Sequence, residues 1–89
     1  MISCEIEIIN KLGLHARAAA KLVKLSSSFI SNIDIEKQDQ KVNSKSIMGV
    51  MMLAASCGTR VTLYADGPDE NQALKAISDL INRRFDEEE

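Results

Sequence analysis

With 89 residues the chain has room for one small domain, and at 45% hydrophobic it carries enough apolar side chains for a single core. A formal net charge of -2, no Trp, one Tyr and two Phe argue against nucleic acid as a partner, which would need phosphate-neutralising charge and stacking rings. No apolar run approaches the ~20 residues of a membrane span, and Cys4 and Cys57 lack metal-ligand spacing, so they read as structural thiols of a reducing, cytosolic compartment.

The segment "SCEIEII" alternates, with Cys4, Ile6 and Ile8 on one face and Ser3, Glu5 and Glu7 on the other, which predicts a half-buried strand ending near Ile9. Asn10 to Gly13 reads as a loop. Strong helix formers follow from Ala16 to about Ser27, with Ala19, Leu22 and Val23 sharing a face and the serines at 26 to 28 ending the helix. "NIDIEK" alternates through Ile33 and Ile35, the polar residues Gln38 to Gln40 turn, and Lys41 to Asn43 completes a hairpin. The run "SIMGVMMLAAS", Ser46 to about Ser56, predicts a second helix with Ser46 as N-cap and Gly58 as C-terminal stop. Its Val50, Leu53 and Ala54 would face a sheet, leaving Ile47, Met48, Met51 and Met52 for the other side. "RVTLYAD" is a fourth strand with Val61, Leu63 and Ala65 inward. After Pro68 and its acids, Ala73, Leu74, Ile77, Leu80 and Ile81 recur at helical spacing. The acidic end, Asp86 to Glu89, reads as solvated and frayed.

The order is βαββαβα. Elements with one apolar face each close as two layers, helices on one side of a sheet, and clean alternation leaves the other sheet face to water. The expected class is α+β with an antiparallel or mixed sheet.

His15, the sole histidine, falls at the first loop-to-helix junction, where backbone N–H groups lack acceptors and carry partial positive charge. Such a place favours an anion and disfavours imidazolium, leaving a neutral nitrogen able to act as a nucleophile near pH 7. Arg17 lies in the first turn, where its guanidinium could reach a phosphoryl group beside the ring. Lys11, Lys21 and Lys24 add positive charge. A dipole contribution of ~0.3–2 kcal/mol and charge-assisted hydrogen bonds of ~1.5–3 kcal/mol would hold a phosphoryl group yet let it go, which suits a carrier better than a hydrolase. One histidine without companion ligands makes a poor metal site. The plain alternative is a histidine that merely caps the helix.

"GLHARAA", Gly13 to Ala19, together with "VNSKSIMGVMML", Val42 to Leu53, resembles the HPr family, the histidine-containing phosphocarriers of the bacterial phosphoenolpyruvate-dependent phosphotransferase system. The resemblance covers essentially the whole chain as one domain, 1–89. It implies an open-faced sandwich, a four-stranded antiparallel sheet with three helices on one face. It also implies that His15 is phosphorylated on Nδ1 by Enzyme I, with the group drawn from phosphoenolpyruvate and passed to an Enzyme IIA protein, and that Arg17 steadies it. Docking would involve Leu14, Ala16, Ala20, Lys21, Lys24, Ile47, Met48, Met51 and Met52. Such a chain is a cytoplasmic, monomeric carrier needing no cofactor or metal and turning over no small molecule of its own.

The family usually has proline after the arginine, where this chain has Ala18. Alanine keeps the helix and restores one amide donor, so phosphorylation at His15 is expected to persist. Ser46 reads first as an N-cap. By resemblance it is also the serine that an HPr kinase/phosphorylase modifies, placing charge of about −2 at a helix N-terminus and on the docking face. Gly49 weakens the second helix by about 1 kcal/mol relative to alanine. A regulatory adaptor without carrier function and a small nucleic-acid module are the rival readings; His15 argues against the first and the acidic balance against the second. Ala18 and "FDEEE" resemble nitrogen-related carriers, "KSIMGVMML" the serine-regulated ones, and both branches stay open.

Overall fold

The computed structural model describes residues 1–87. Its elements are β1 (Ile2–Glu7), α1 (Ala16–Ser27), β2 (Asn32–Lys37), β3 (Gln40–Asn43), α2 (Ile47–Leu53), β4 (Arg60–Asp66) and α3 (Glu70–Asn82), followed by a 3-10 turn at Arg84–Asp86. The four strands form one antiparallel sheet in the order β1-β4-β2-β3.

Alternation dictates which side chains turn inward, and register brings them together. Cys4 stands opposite Leu63 and Ile6 opposite Val61, while Ile33 meets Ala65 and Ile35 meets Leu63. These residues share one pleat face, so the expected polar face, with Ser3, Glu5 and Glu7, is left outside. The helices cover the inner face: α3 lies against β4 and β1, α2 against β3 and β2, and α1 against both helices. Ile8, Leu22, Ile33, Ile35, Leu63, Ile77 and Ile81 are fully buried where these layers meet, each such side chain contributing roughly 1.5–3 kcal/mol. All five predicted core positions of α3 are buried.

Three boundaries differ from the periodicity. β3 begins at Gln40, paired with Lys37, rather than at Lys41. β1 ends at Glu7 rather than near Ile9, although Ile8 still donates to Thr59 O (2.9 Å) and accepts from Gly58 N (2.7 Å). α2 ends at Leu53 rather than Ser56, with Ala54 in the left-handed region at φ 53°. Gly58, at φ +91°, therefore belongs to the turn before β4 and is not the stop of α2. A long-range bond explains the early end: Ala55 O accepts from Leu14 N at 2.8 Å, which draws the chain away from the helix axis. In consequence Ala54 is exposed and Ala55 takes the buried place predicted for it.

The expected frayed end is instead folded as far as it is described. Phe85 is fully buried, Asp86 pairs with Arg83 at 3.0 Å, and Lys21 Nζ donates to Phe85 O at 2.6 Å. Arg84, Phe85 and Asp86 all have positive φ (58°, 55° and 61°), a conformation costing non-glycine residues ~1–2 kcal/mol each and offset here by burial of the Phe85 ring. Glu88 and Glu89 lie outside the described residues.

Candidate functional site

The loop before α1 is shaped by contacts on both sides. Gly13, at φ +65°, donates to Asn10 O at 3.1 Å, and a Cβ on it would stand 2.6 Å from Ala55 O and 2.7 Å from Ser56 Cα. Only glycine allows this approach. Leu14 next to it is 5% exposed and packs in the core, so the side chain expected at a docking surface is instead an anchor for the loop.

His15 is the N-cap of α1 with extended backbone (φ −74°, ψ 178°), and its ring makes no capping hydrogen bond. The plain alternative of a capping histidine therefore fails. Its carbonyl takes Ala19 N at 2.8 Å, while the amides of Ala16, Arg17 and Ala18 have no acceptor among the described residues. Arg17 is exposed and pairs with no acid among those residues. A ring nitrogen beside unfilled amides and an exposed guanidinium suits a phosphate-like dianion.

The ring is about three-quarters covered, 26% exposed, and its Nε2 lies 2.5 Å from Glu87 Oε2. Glu87 is 16% exposed. Its other oxygen accepts from Asn10 Nδ2 at 2.8 Å, and the same amide donates to Gly13 O at 2.8 Å. Asn10 is fully buried, and its Oδ1 has no partner among the described residues. The Asn10 hydrogen bond, and after it the contact with His15, holds the Glu87 carboxyl below the usual carboxylate range, burial working the other way. The ring thus lies between a positive helix end and a negative carboxylate. Sequence reasoning anticipated only the first, because nothing local marks a residue 72 positions away as its neighbour.

Among the other predicted docking residues, Ala16, Ala20 and Lys24 are exposed along α1, whereas Lys21 is partly buried and committed to Phe85 O. Ile47, Met48, Met51 and Met52 are all exposed, Met48 and Met52 at 67%. Val50 and Leu53 are buried beneath them. Four apolar side chains on seven helical residues form an open, adaptable surface. The Ala55–Leu14 bond ties the C-terminal end of α2 to the His15 loop. Ser46 sits at the far end, about 10 Å away along the axis, where its Oγ accepts from Gly49 N at 3.2 Å. Gly49 has a packing reason as well, since a Cβ there would come within 3.3 Å of Val42 Cβ.

Among the described residues no group of three or more His, Cys, Asp or Glu could hold a metal ion, and no helix is long and apolar enough to cross a membrane.

An open-faced α+β sandwich with its histidine at a helix N-terminus and an apolar helix beside it is the frame of a small carrier domain. A family model described as "PTS HPr component phosphorylation site" matches residues 2–83. The phosphocarrier protein HPr of Neisseria meningitidis is 54% identical over 89 residues, with 100% of both chains covered. HPr-C-His from Thermoanaerobacter tengcongensis, a crystal structure, superposes with a TM-score of 0.97 at 53% identity and full coverage of both chains. The HPr dimer from the same organism gives 0.79 at 53% identity, over 98% of this chain and 100% of that one. The chain belongs to the HPr family, the phosphocarriers of the phosphotransferase system.

Proposed function

We propose that this chain accepts a phosphoryl group on His15 Nδ1 from phospho-Enzyme I, originating in phosphoenolpyruvate, and passes it to a histidine of an Enzyme IIA protein. The observation that carries this reading is the pair of unfilled amides at the exposed Ala16 and Arg17 beside a histidine ring that caps nothing. The amides and helix dipole favour the phosphoryl oxygens, and Arg17 is free to close over them. Ala18, where the family usually has proline, is fully buried and packs in the core, so it leaves these two amides as they are. None of these groups activates water, so the phosphorylated ring persists until a partner histidine attacks.

Partners dock on the start of α1 and on Ile47, Met48, Met51 and Met52, with Ala16, Ala20 and Lys24 at the margin and Lys21 acting through the C-terminal segment. Ser46 is read as a regulatory acceptor for an HPr kinase/phosphorylase. A phosphate there is compatible with the cap it already forms, and its charge opposes docking rather than folding. Two free thiols, Cys4 and Cys57, fit a cytoplasmic protein, and the carrier acts as a monomer so that both docking elements stay open.

Incubation with Enzyme I and phosphoenolpyruvate tests the reading. Acid-labile label on the wild type, absent from His15→Ala, is the expected outcome; label that survives the substitution would overturn it.

A further inference from the structure

The contact that the function does not absorb is the carboxylate on His15. Glu87 stands beyond residue 83, where the match to the family model stops. It reaches the ring because Phe85 is buried, Lys21 holds Phe85 O, and Asn10 holds Oε1. Asn10 in turn spans to Gly13 O, so one buried amide couples the histidine loop to the C-terminal segment.

We propose that Glu87 is a positioning residue for phosphoryl transfer: supplied by the C-terminal segment and held by Asn10, it keeps the proton of the His15 ring on Nε2 and so presents Nδ1 as the nucleophile. The inference rests on the reading of His15 as the acceptor. An ionised carboxylate only accepts hydrogen bonds, so an Nε2 at 2.5 Å from it must be the donor. The lone pair of the neutral ring is then on Nδ1. A second nitrogen held by a carboxylate sets tautomer and ring orientation together, as it does for many working histidines.

The step balances without moving a proton. The Nδ1 lone pair forms a bond to phosphorus while the bond from phosphorus to the donor's nitrogen breaks, and that electron pair stays with the donor. The His15 ring gains a positive charge, Nε2–H remains on Glu87, and the carboxylate compensates the new charge. When the group moves on, the same hydrogen bond is already in place for the next cycle.

Nitrogen-15 labelled protein tests this directly. The wild type is expected to show a downfield ring proton, slow to exchange and coupled to Nε2. That signal is lost in Glu87→Ala and retained, weakened, in Glu87→Gln, whose amide oxygen can still accept. The rate of Enzyme I-dependent phosphorylation is expected to fall about tenfold in Glu87→Ala and less in Glu87→Gln, in line with one lost charge-assisted hydrogen bond. A ring proton found on Nδ1, a signal unchanged in Glu87→Ala, or an unchanged rate after the signal is lost would each overturn the proposal. A wild type that shows the Nε2 signal and its loss in Glu87→Ala, yet takes no label from Enzyme I, would instead remove the acceptor reading and leave the contact standing.

Discussion

Replacing Gly13 by alanine isolates what fastens the histidine loop. At φ +65° alanine pays ~1–2 kcal/mol for left-handed backbone. Its Cβ would also stand 2.6 Å from Ala55 O and 2.7 Å from Ser56 Cα, both backbone atoms that no rotamer change can clear. Moving them breaks the 2.8 Å bond from Leu14 N, a loss of about 1–3 kcal/mol when the donor is left unmatched in the interior. The total is about 2–5 kcal/mol. Gly58→Ala provides the control, because at φ +91° it meets nothing within 4 Å and carries only the backbone penalty. Urea unfolding followed by circular dichroism should show Gly13→Ala losing about 1–3 kcal/mol more than Gly58→Ala, or roughly 5–20 °C in Tm for a domain this small. Equal losses in the two variants would refute the reasoning, since the close approach to Ala55 would then carry no weight.

Other outcomes follow from the same geometry. Arg17→Ala should leave stability unchanged, since Arg17 has no ion pair among the described residues, yet slow phosphoryl transfer by about 10–100-fold, the equivalent of one charge-assisted hydrogen bond; a matching drop in Tm would point to a structural role instead. Ser46→Ala should cost about 1 kcal/mol through loss of the bond from Gly49 N, whereas Ser46→Asp keeps a capping oxygen, so urea midpoints should separate the two. Asp69 is held below the usual carboxylate range chiefly by the Ser31 hydroxyl, with the Ile30 and Ser31 amides adding to it. A depressed folded value means stability that is present above the unfolded value of about 3.9 and lost as pH falls through the lower folded one. Asp69→Asn should therefore flatten the stability profile below about pH 4, and an unaltered slope in that variant would count against the assignment.

Much of the architecture is legible in local patterns. Period-two alternation in "NIDIEK" and "RVTLYAD" identifies Ile33, Ile35, Val61, Leu63 and Ala65 as inward, and all are buried. The three- and four-residue spacing from Ala73 to Ile81 does the same for α3. His15 at a helix entry with Arg17 after it, and an apolar surplus on α2, are equally local facts. Periodicity reports which face of an element is apolar because it depends only on the geometry of one strand or one helix.

Which elements become neighbours is decided elsewhere. Nothing in β4 alone places it between β1 and β2, since that order emerges only when all inward faces share one core. Ala54 adopts a left-handed backbone that alanine disfavours because Ala55 is claimed by Leu14 across the fold. An acidic end that reads as solvated becomes a ring partner once burial of Phe85 brings Glu87 to His15 and Asn10. The amino-acid order alone thus determined the class of fold, the apolar faces and the reactive ring. The tertiary structure alone decided the strand neighbours, the end of α2 and the carboxylate on that ring, because these are contacts between distant segments whose free energy exists only when both are in place.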